Sequence, residues 1–391
     1  MNIRMKFNSP LLIGGKKLTS NFIQGIDYIP GNVVRAAFAR HILNHCAVNR
    51  ENYVEINREK KYNWVYFRNL DECKKCIYKN ICKKFSDIEF SFFYPEDTEV
   101  VPLTAMKCKE NDEHGYIDCL VDERKCKKCE QRVEFSTGLR KNDKPYSVIW
   151  NYFTRTSINP YTQTSKDGSL YTLVAVEGTT KENDKINSYF KGKIEGINEE
   201  ELKLFNDLRI GKYISSGFGQ VELEIIYENK TEDQSLIINK MKKFDKKFKN
   251  LLKKERNFKN NNLDNFLDDN LNYFAILFVS DVKLPHIELN GYKKTEEYKK
   301  EWQNLLDISE DYAIQMIYGE TNIYRGYDTS KGTNDNRKSA VLHLQKGSVI
   351  VLKTNNSFEQ IYKDFSNKTF GLETENGFGW IKIYDGGVDN E

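Results

Sequence analysis

The sequence predicts an α+β protein built from two copies of a βαββαβ-type unit, with a cysteine-rich segment inserted in the first copy. Two observations predict the doubling: one glycine pattern occurs twice at identical spacing, and each copy precedes a run of alternating apolar residues, as in a half-buried strand. A third observation, seven cysteines between residues 64 and 135, predicts the insertion. We place the first domain at 1–228, a basic linker helix at 229–270 and the second domain at 271–391.

The glycine pattern, G-x5-G-F-G, occurs at Gly211, Gly217, Phe218 and Gly219 and again at Gly371, Gly377, Phe378 and Gly379. Glycine permits positive φ and lets another backbone or a phosphate approach more closely than a Cβ allows. A tight turn repeated for folding reasons alone is the alternative interpretation. The identical spacing indicates that each copy closes one half of a duplicated chain.

Composition limits the classes of protein to consider. With 391 residues, 39% hydrophobic and 13% aromatic, the chain can form real cores and carries many flat rings for stacking. Its net charge of +3 is too small to indicate a partner. No stretch of about 18 apolar residues predicts a membrane span, and the first residues lack the apolar core of a signal peptide. We therefore expect a cytosolic protein with no membrane partner, in which eight cysteines indicate metal binding rather than disulfides.

The N-terminal region predicts a strand and then a helix. Alternating apolar residues over 1–13 indicate the strand, and the Pro30-Gly31 pair forces a turn before Asn32, the candidate N-cap. The free N–H groups of a helix start suit a phosphate, which makes Gly31, Asn32 and Arg35 candidate contacts. Because helix starts of this kind are common, the pattern alone is weakly specific.

The inserted segment at about 64–135 contains two C-x2-C pairs some 50 residues apart, a strong signal for zinc, because paired thiolates grip one tetrahedral ion. The first choice of ligands is Cys73, Cys76, Cys126 and Cys129. Cys82 and Cys108 are alternatives that replace two of these or hold a second ion with His114. Flanking lysines lower thiol pKa and offset thiolate charge. Structural zinc is favoured over catalytic zinc, an iron–sulfur cluster is a lesser option, and Cys46 and Cys119 fit core thiols.

A polar stretch precedes a clear strand at 170–176. It places Arg155 and Thr156 on a non-acidic loop that can contact phosphates and ribose hydroxyls. A solvated hairpin explains the same composition equally well.

The linker is unusually basic, with ten Lys or Arg and two Asp or Glu residues between Lys240 and Asn260. Apolar residues at helical spacing are Ile237, Met241, Phe244, Phe248 and Leu251. They predict an amphipathic helix whose basic face contacts nucleic acid or, more commonly, is simply solvated.

The second half repeats the order of the first. It begins with a strand at 273–279, continues with a helix at 296–306 and strands at 341–344 and 348–352, and ends with the second glycine pattern and a last strand.

These features together resemble the RAMP superfamily of CRISPR effector proteins. The resemblance rests on the stretch Tyr28–Arg35, on Arg155-Thr156 with Gly168–Tyr171, on both glycine patterns, and on the strand, Lys-Gly turn and strand at 340–352. Together these span nearly the whole chain, and the resemblance implies two ferredoxin-like (RRM-like) domains. The family's motif commonly has Ser where this chain has Asn32, and Asn can still cap a helix.

Within this superfamily the chain is most similar to the type III-D subunit of the Cas-five-like group. The similarity implies a non-catalytic role in antiviral defence: holding the 5′ end of the crRNA and docking the large polymerase-like subunit beside backbone RAMP subunits. The RNA contacts we expect are Gly31, Asn32, Arg35, Arg155, Thr156, Lys212, Tyr213, Gly217, Phe218, Gly219, Gly377, Phe378 and Gly379. The rings expected to stack on bases are Tyr28, Tyr213, Phe218 and Phe378.

The enzymatic alternative is a metal-independent endoribonuclease that processes pre-crRNA with a histidine as general base. His41 is a weak candidate, because no histidine has an acid or base partner at a readable spacing. For metal-dependent cleavage, as in a backbone-type RAMP subunit, Asp27 is the candidate, although it better fits shaping the turn before Pro30. A third class is a zinc-bearing DNA-binding or assembly module with no RNA contact, which the basic helix would fit.

Overall fold

The computed structural model describes residues 1–14, 17–19, 21–48, 64–178, 189–227, 233–258, 268–285, 294–325 and 338–387. Helices and mainly antiparallel strands alternate along these residues, which confirms the predicted α+β class.

The strands of the first half are β1 Asn2–Phe7, β2 Lys17–Thr19, β3 Phe22–Gln24, β4 Glu89–Phe90, β5 Tyr94–Pro95, β6 Glu99–Val100, β7 Ala105–Cys108, β8 Tyr116–Asp118, β9 Val133–Phe135, β10 Leu139–Lys141, β11 Lys144–Tyr146, β12 Trp150–Arg155, β13 Tyr171–Val176, β14 Tyr189–Glu195, β15 Leu208–Arg209 and β16 Gln220–Ile226. Those of the second half are β17 Asn272–Phe278, β18 Val282–Lys283, β19 Ala313–Tyr318, β20 Thr321–Tyr324, β21 Val341–Leu344, β22 Val349–Thr354 and β23 Ile381–Tyr384. The α-helices with assigned bounds are α1 Gly31–His45, α2 Asp71–Lys75, α3 Lys79–Lys84, α4 Glu199–Leu202, α5 Gln234–Phe258, α6 Thr295–Leu305 and α7 Phe358–Phe365.

The first half is built on an antiparallel sheet of order β15-β16-β1-β14-β4, with β5 also paired to β14. Strand β1 lies in its middle, because Ile3 pairs with both Gly192 and Ile225. The alternating residues Ile3, Met5 and Phe7 are buried in one core with the apolar face of α1. The period-two pattern of the sequence therefore marks the face of β1 that packs against the helix.

The second half is built on a sheet of order β19-β22-β17-β23. In both halves the main strands lie in the order fourth, first, third and second. They are β16, β1, β14 and β4 in the first half and β23, β17, β22 and β19 in the second. Helices α1 and α6 follow the first strands, and α4 and α7 follow the third. The two halves therefore share one topology, even though the first carries about 100 residues between its second and third strands.

The predicted basic helix is α5, and it packs against the second sheet. Its residues Met241, Phe244 and Phe248 are buried, and the two phenylalanines share a core with Tyr273 of β17. The other face of β17 packs against α6 and α7. Because both faces of β17 are buried, its sequence is an unbroken run of apolar residues. The helix is thus part of the second half rather than a free linker.

The two glycine patterns adopt the same backbone conformation. In each copy all three glycines have positive φ, between 72° and 96°. The residue after each pattern donates its N–H to a serine hydroxyl that follows the first strand: Gln220 to Ser9 at 2.8 Å and Trp380 to Ser280 at 2.9 Å. The sequence repeat is therefore a structural repeat.

The last glycine of each copy has no room for a side chain. A Cβ on Gly219 would lie 1.9 Å from the carbonyl oxygen of Ile210, and a Cβ on Gly379 would lie 1.7 Å from that of Phe370. The same pairs are joined by 2.9 Å hydrogen bonds, in which the N–H of Ile210 or Phe370 donates to the glycine carbonyl. Close backbone approach, which Cβ atoms would prevent, is thus the local reason for the pattern.

The second glycine pattern also joins the two halves. A Cβ on Gly31, the first residue of α1, would lie 2.3 Å from the carbonyl oxygen of Asn376 and 2.1 Å from that of Phe90. A Cβ on Gly377 would lie 2.4 Å from the same Phe90 oxygen. The second loop therefore lies directly against β4 and the start of α1.

The inserted segment makes a second connection between the halves. The Leu103 N–H donates to the carbonyl of Gly347 at 2.7 Å. The buried Asp118 carboxylate accepts from the hydroxyls of Thr104 at 2.6 Å and Tyr384 at 2.5 Å. Burial raises the pKa of Asp118 although these donors oppose the shift.

The start of α1 differs from the prediction. The helix begins at Gly31, its N-cap is Pro30 in an extended conformation, and no side chain caps it. Asn32 therefore lies inside the first turn, and its prediction as N-cap is wrong.

The glycine contacts predict a difference within one loop. Gly219→Ala forces a Cβ onto the Ile210 carbonyl, whereas Gly217→Ala, also at positive φ, places its Cβ where nothing lies within 4 Å. We expect Gly217→Ala to destabilise the chain by about 1 kcal/mol and Gly219→Ala by about 1–3 kcal/mol more, measured by urea unfolding. Equal losses for the two variants would contradict the close-approach explanation.

Candidate functional site

The tip of the first glycine loop is an exposed turn. Lys212, Ser215, Ser216 and Gly217 are exposed, and a Cβ on Gly217 would meet nothing within 4 Å. Two hydroxyls, one ammonium group and an unobstructed stretch of backbone therefore face solvent together. Such a turn can accept a phosphate.

Arg155 lies beside this loop at the end of β12. Its guanidinium carbon is 5.3 Å from the centroid of the buried Phe218 ring, and Phe153 meets the same ring edge-on at 5.0 Å. Thr156, the next residue, is exposed. Arg155, which was predicted for a separate polar loop, thus ends β12 beside the glycine loop. We define the first-loop surface as Lys212, Ser215–Gly217, Arg155 and Thr156.

The predicted stacking role of the loop phenylalanines is wrong. Phe218 is 3% exposed and Phe378 is 6% exposed, so neither ring can receive a base in this structure. Tyr213 is half-buried, with its ring 6.2 Å from Phe218. Tyr28 is half-buried, and its ring stacks on Phe92 at 5.7 Å.

Exposed rings lie elsewhere, on the outer face of the sheet β12-β13-β3-β2. Tyr152 is 65% exposed and Phe22 is 42% exposed. Thr154 and Thr172 lie between them in the register, and their hydroxyls are 3.2 Å apart. Sequence reasoning missed this face, although the alternation in Trp150–Arg155 was a readable signal.

The second glycine loop offers no comparable surface. Gly377, Phe378 and Gly379 are all buried, and the Phe378 ring meets Phe92 edge-on at 5.5 Å and His343 at 5.3 Å. These three residues were predicted to bind RNA. The structure places Gly377 and Phe378 in the contact between the halves, and Gly379 against the backbone of Phe370 within the second half.

The predicted phosphate site at the start of α1 is also occupied by protein. Arg35 donates to the carbonyls of Ile88 at 2.7 Å and Phe85 at 2.8 Å, so its guanidinium clamps the chain before β4. The carbonyl of Asn376 lies over Gly31, and the Oδ1 atom of Asn32 is buried. The expectation that Gly31, Asn32 and Arg35 contact a phosphate is therefore wrong, because the second loop covers the helix start.

The two weak catalytic candidates, His41 and Asp27, differ in how deeply they are buried. His41 is 8% exposed, and its Nε2 atom lies 3.0 Å from the Tyr78 hydroxyl and 3.1 Å from the carbonyl oxygen of Leu204. Burial, together with the neighbouring His45, lowers the pKa of His41, so this ring is neutral near pH 7 and bonded within the core. Asp27 is half-buried in the turn before Pro30.

One group of side chains has the geometry of a metal site. Cys108, His114, Cys126 and Cys129 each direct one ligand atom to a common point, and all four atoms lie within 4.8 Å of one another. The sulfurs of Cys108 and Cys129 are 3.5 Å apart, and the Cys126 sulfur is 3.4 Å from Nδ1 of His114. A tetrahedral ion with metal–sulfur bonds of about 2.3 Å requires sulfurs about 3.8 Å apart. The group can therefore hold a metal ion with little movement.

The local fold explains this ligand set. Strand β7 pairs with β9 so that Cys108 lies opposite Val133. The preceding turn is closed because the Cys126 N–H donates to the Gln131 carbonyl at 3.0 Å. Pairing of these strands thus brings Cys108 beside the Cys126–Cys129 turn.

The predicted first choice of ligands is half wrong. Cys126 and Cys129 are in the group, but their partners are Cys108 and His114, which had been alternatives. Cys46, Cys73, Cys76 and Cys82, which we call the second thiol cluster, line a separate cavity of about 380 Å³. Burial, together with the neighbouring thiols of Cys76, Cys46 and Cys73, raises the pKa of Cys82 to about 12. Cys119 is a core thiol beside Met106 and Ile117.

A profile of the RAMP superfamily matches residues 4–222, more than half of the chain, and the chain belongs to this superfamily. Among curated proteins, no sequence matches significantly.

Several solved structures are partly similar to this chain. One is a chain from a type III-B Cmr-beta structure bound to cognate target RNA and AMPPnP, with 12% identity, a TM-score of 0.39, and coverage of 94% of this chain and 88% of that chain. A second Cmr-beta structure, bound to cognate target RNA, has 13% identity, a TM-score of 0.40, and coverage of 90% and 86%. A CRISPR associated protein Cas6 has 10% identity, a TM-score of 0.27, and coverage of 98% of both chains. These likenesses are too distant to support an inference about function.

None of the helices in the described parts of the chain combines the length and apolarity that crossing a membrane requires.

The metal geometry predicts the effect of removing one ligand. In Cys126→Ser we expect bound metal, measured by elemental analysis of the purified chain, to fall by about one equivalent, because a three-ligand remnant binds far more weakly. Cys119→Ser is the matched control, since Cys119 is a buried cysteine of the same segment outside the group. Unchanged metal content in Cys126→Ser would rule out this ligand set.

Proposed function

We propose that this chain is a non-catalytic RNA-binding subunit of a type III CRISPR effector complex, which holds the 5′ end of the crRNA. The observation that carries the proposal is the exposed first-loop surface of a RAMP superfamily member. Hydroxyls, a cation and open backbone at a glycine turn suit the phosphates and ribose hydroxyls of single-stranded RNA. Tyr152 and Phe22 are exposed rings on which bases can stack, each contributing about 1–3 kcal/mol, and they form a separate surface on the opposite face of β12 from Arg155.

Each half is, in this proposal, a ferredoxin-like unit. The support is the shared strand arrangement of fourth, first, third and second, with helices after the first and third strands. The duplication supplies two equivalent glycine loops, of which the second is used to join the halves. One exposed loop per chain suits a subunit that meets the RNA once, at its end. The type III-D, Cas-five-like assignment and the docking of a large polymerase-like subunit rest on the resemblance of the sequence motifs.

The burial of the candidate general bases, His41 and His343, favours a binding role over cleavage. A general base must reach the proton it abstracts, and His41 is instead bonded to Tyr78 and Leu204 inside the core. His343 is buried against Phe378.

Zinc is the metal we propose for the group of Cys108, His114, Cys126 and Cys129. Three thiolates and an imidazole form a closed tetrahedral set of the kind that zinc prefers, and four protein ligands leave no open position for catalysis. Its role would be to hold β7 and the Cys126–Cys129 turn together.

The RNA proposal predicts a selective loss of binding. We expect Lys212→Glu/Ser215→Glu to weaken binding of a 5′-labelled crRNA at least about 10-fold in fluorescence anisotropy, with the salt slope falling by about 0.7 per lost phosphate contact. Both side chains are exposed, so the fold should be unaffected. The matched control is Lys246→Glu/Asn250→Glu on α5, which makes the same charge change at exposed positions of the basic helix. A loss confined to the control would assign nucleic-acid binding to α5 and overturn the proposal.

If the chain is non-catalytic, it should not cleave repeat RNA. Repeat RNA incubated with the purified chain, in EDTA or in Mg²⁺, should stay intact on a denaturing gel. Cleavage in EDTA that disappears in His41→Ala would establish the endoribonuclease alternative. Cleavage that requires Mg²⁺ and disappears in Asp27→Ala would establish the backbone-type alternative.

A further inference from the structure

The second thiol cluster lies where α1 ends. Cys46 is the C-cap of α1, and the other three cysteines come from the short α2–α3 hairpin. None of these thiols is in a disulfide, and all four are only partly buried. Four unpaired sulfurs around one cavity of about 380 Å³ form a feature that the RNA-binding proposal does not use.

The backbone holds three of the four sulfurs in a compact arrangement. The Cys76 N–H donates to the carbonyl of Cys73 at 3.3 Å, which makes the C-x2-C segment a tight turn. One turn of α3 later, the Cys82 N–H donates to the Tyr78 carbonyl at 2.8 Å, which fixes Cys82 on the side of α3 that lines the cavity. C-x2-C-x5-C is thus a local thiol-bearing unit that Cys46 completes from a distant helix.

The cavity lining is mostly apolar, and its charged residues are mainly cations. Arg68, Lys75 and Lys79 line it, whereas Glu72 is the one carboxylate among its lining residues in the described chain. A metal centre held by four thiolates carries net negative charge, because each ligand is deprotonated. Surrounding cations stabilise such a centre.

The size of the cavity favours a group larger than one ion. At the first metal site the four ligand atoms lie within 4.8 Å of one another. The second thiol cluster instead surrounds a cavity of about 380 Å³. A single tetrahedral zinc needs sulfurs about 3.8 Å apart, whereas an iron–sulfur cluster places metal and sulfide between its thiolates and so holds them farther apart.

We propose that Cys46, Cys73, Cys76 and Cys82 hold an iron–sulfur cluster, separate from the zinc site of Cys108, His114, Cys126 and Cys129. The centre fastens the end of α1 to the α2–α3 hairpin. This assignment does not depend on RNA binding, so it can fail while the proposed function stands.

The test is metal analysis of the full chain purified without oxygen. We expect iron and acid-labile sulfide, about four of each for a cubane cluster, in addition to one zinc, together with visible absorption that bleaches on reduction. Cys76→Ser should lose iron and sulfide and retain zinc. Cys126→Ser should do the opposite, and Cys119→Ser should retain both.

Two results would overturn the proposal. Two zinc ions per chain with no sulfide would show that the cavity closes around a single ion. Absence of a second metal from the wild-type chain, whether purified without oxygen or reconstituted with iron and sulfide, would show that the thiols are not ligands. If Cys76→Ser fails to fold, Cys46→Ser serves as the second variant, and the wild-type metal content still decides.

Discussion

The structure depends on a backbone contact that only glycine allows, made once in each half. At Gly219 and again at Gly379 the chain passes so close to a carbonyl that a Cβ would lie within 2 Å of the oxygen. The contact fixes where the last strand of each sheet begins, and that strand pairs with the first strand of the same half. That pairing joins residues more than 200 positions apart in the first half and about 100 apart in the second.

Identical loops have different surroundings, and the surroundings decide what each can do. The tip of the first loop faces solvent at Ser215–Gly217, whereas the tip of the second loop meets the backbone of Phe90 and the start of α1. A repeated motif therefore supplies one surface for a ligand and one joint between halves. This explains why the expected phosphate site at Arg35 is filled: the joint occupies the helix start that an anion would need.

Local patterns predicted much of the fold and little of the contact between its parts. Alternation located β1, apolar runs located β13 and β17, and glycine spacing located both loops, because these signals come from neighbouring residues. The burial of Phe218 and Phe378 was not readable, since a ring beside glycine can turn inward or outward with the same sequence. The metal ligands show the same limit: both C-x2-C pairs look alike, and only the pairing of β7 with β9 selects Cys108 as a partner.

The inserted segment contributes to the joint as well as to the metal site. Its buried Asp118 receives hydrogen bonds from Thr104 within the insertion and from Tyr384 on the last strand of the second half. Burial disfavours the charged carboxylate and raises the pKa of Asp118. The two hydroxyl donors oppose this shift, and they can do so only while their geometry is fixed. Strands β7 and β8, which end at Cys108 and Asp118, are paired to each other. A metal ion that rigidifies one end of this pair therefore also steadies the carboxylate that ties the first half to the second.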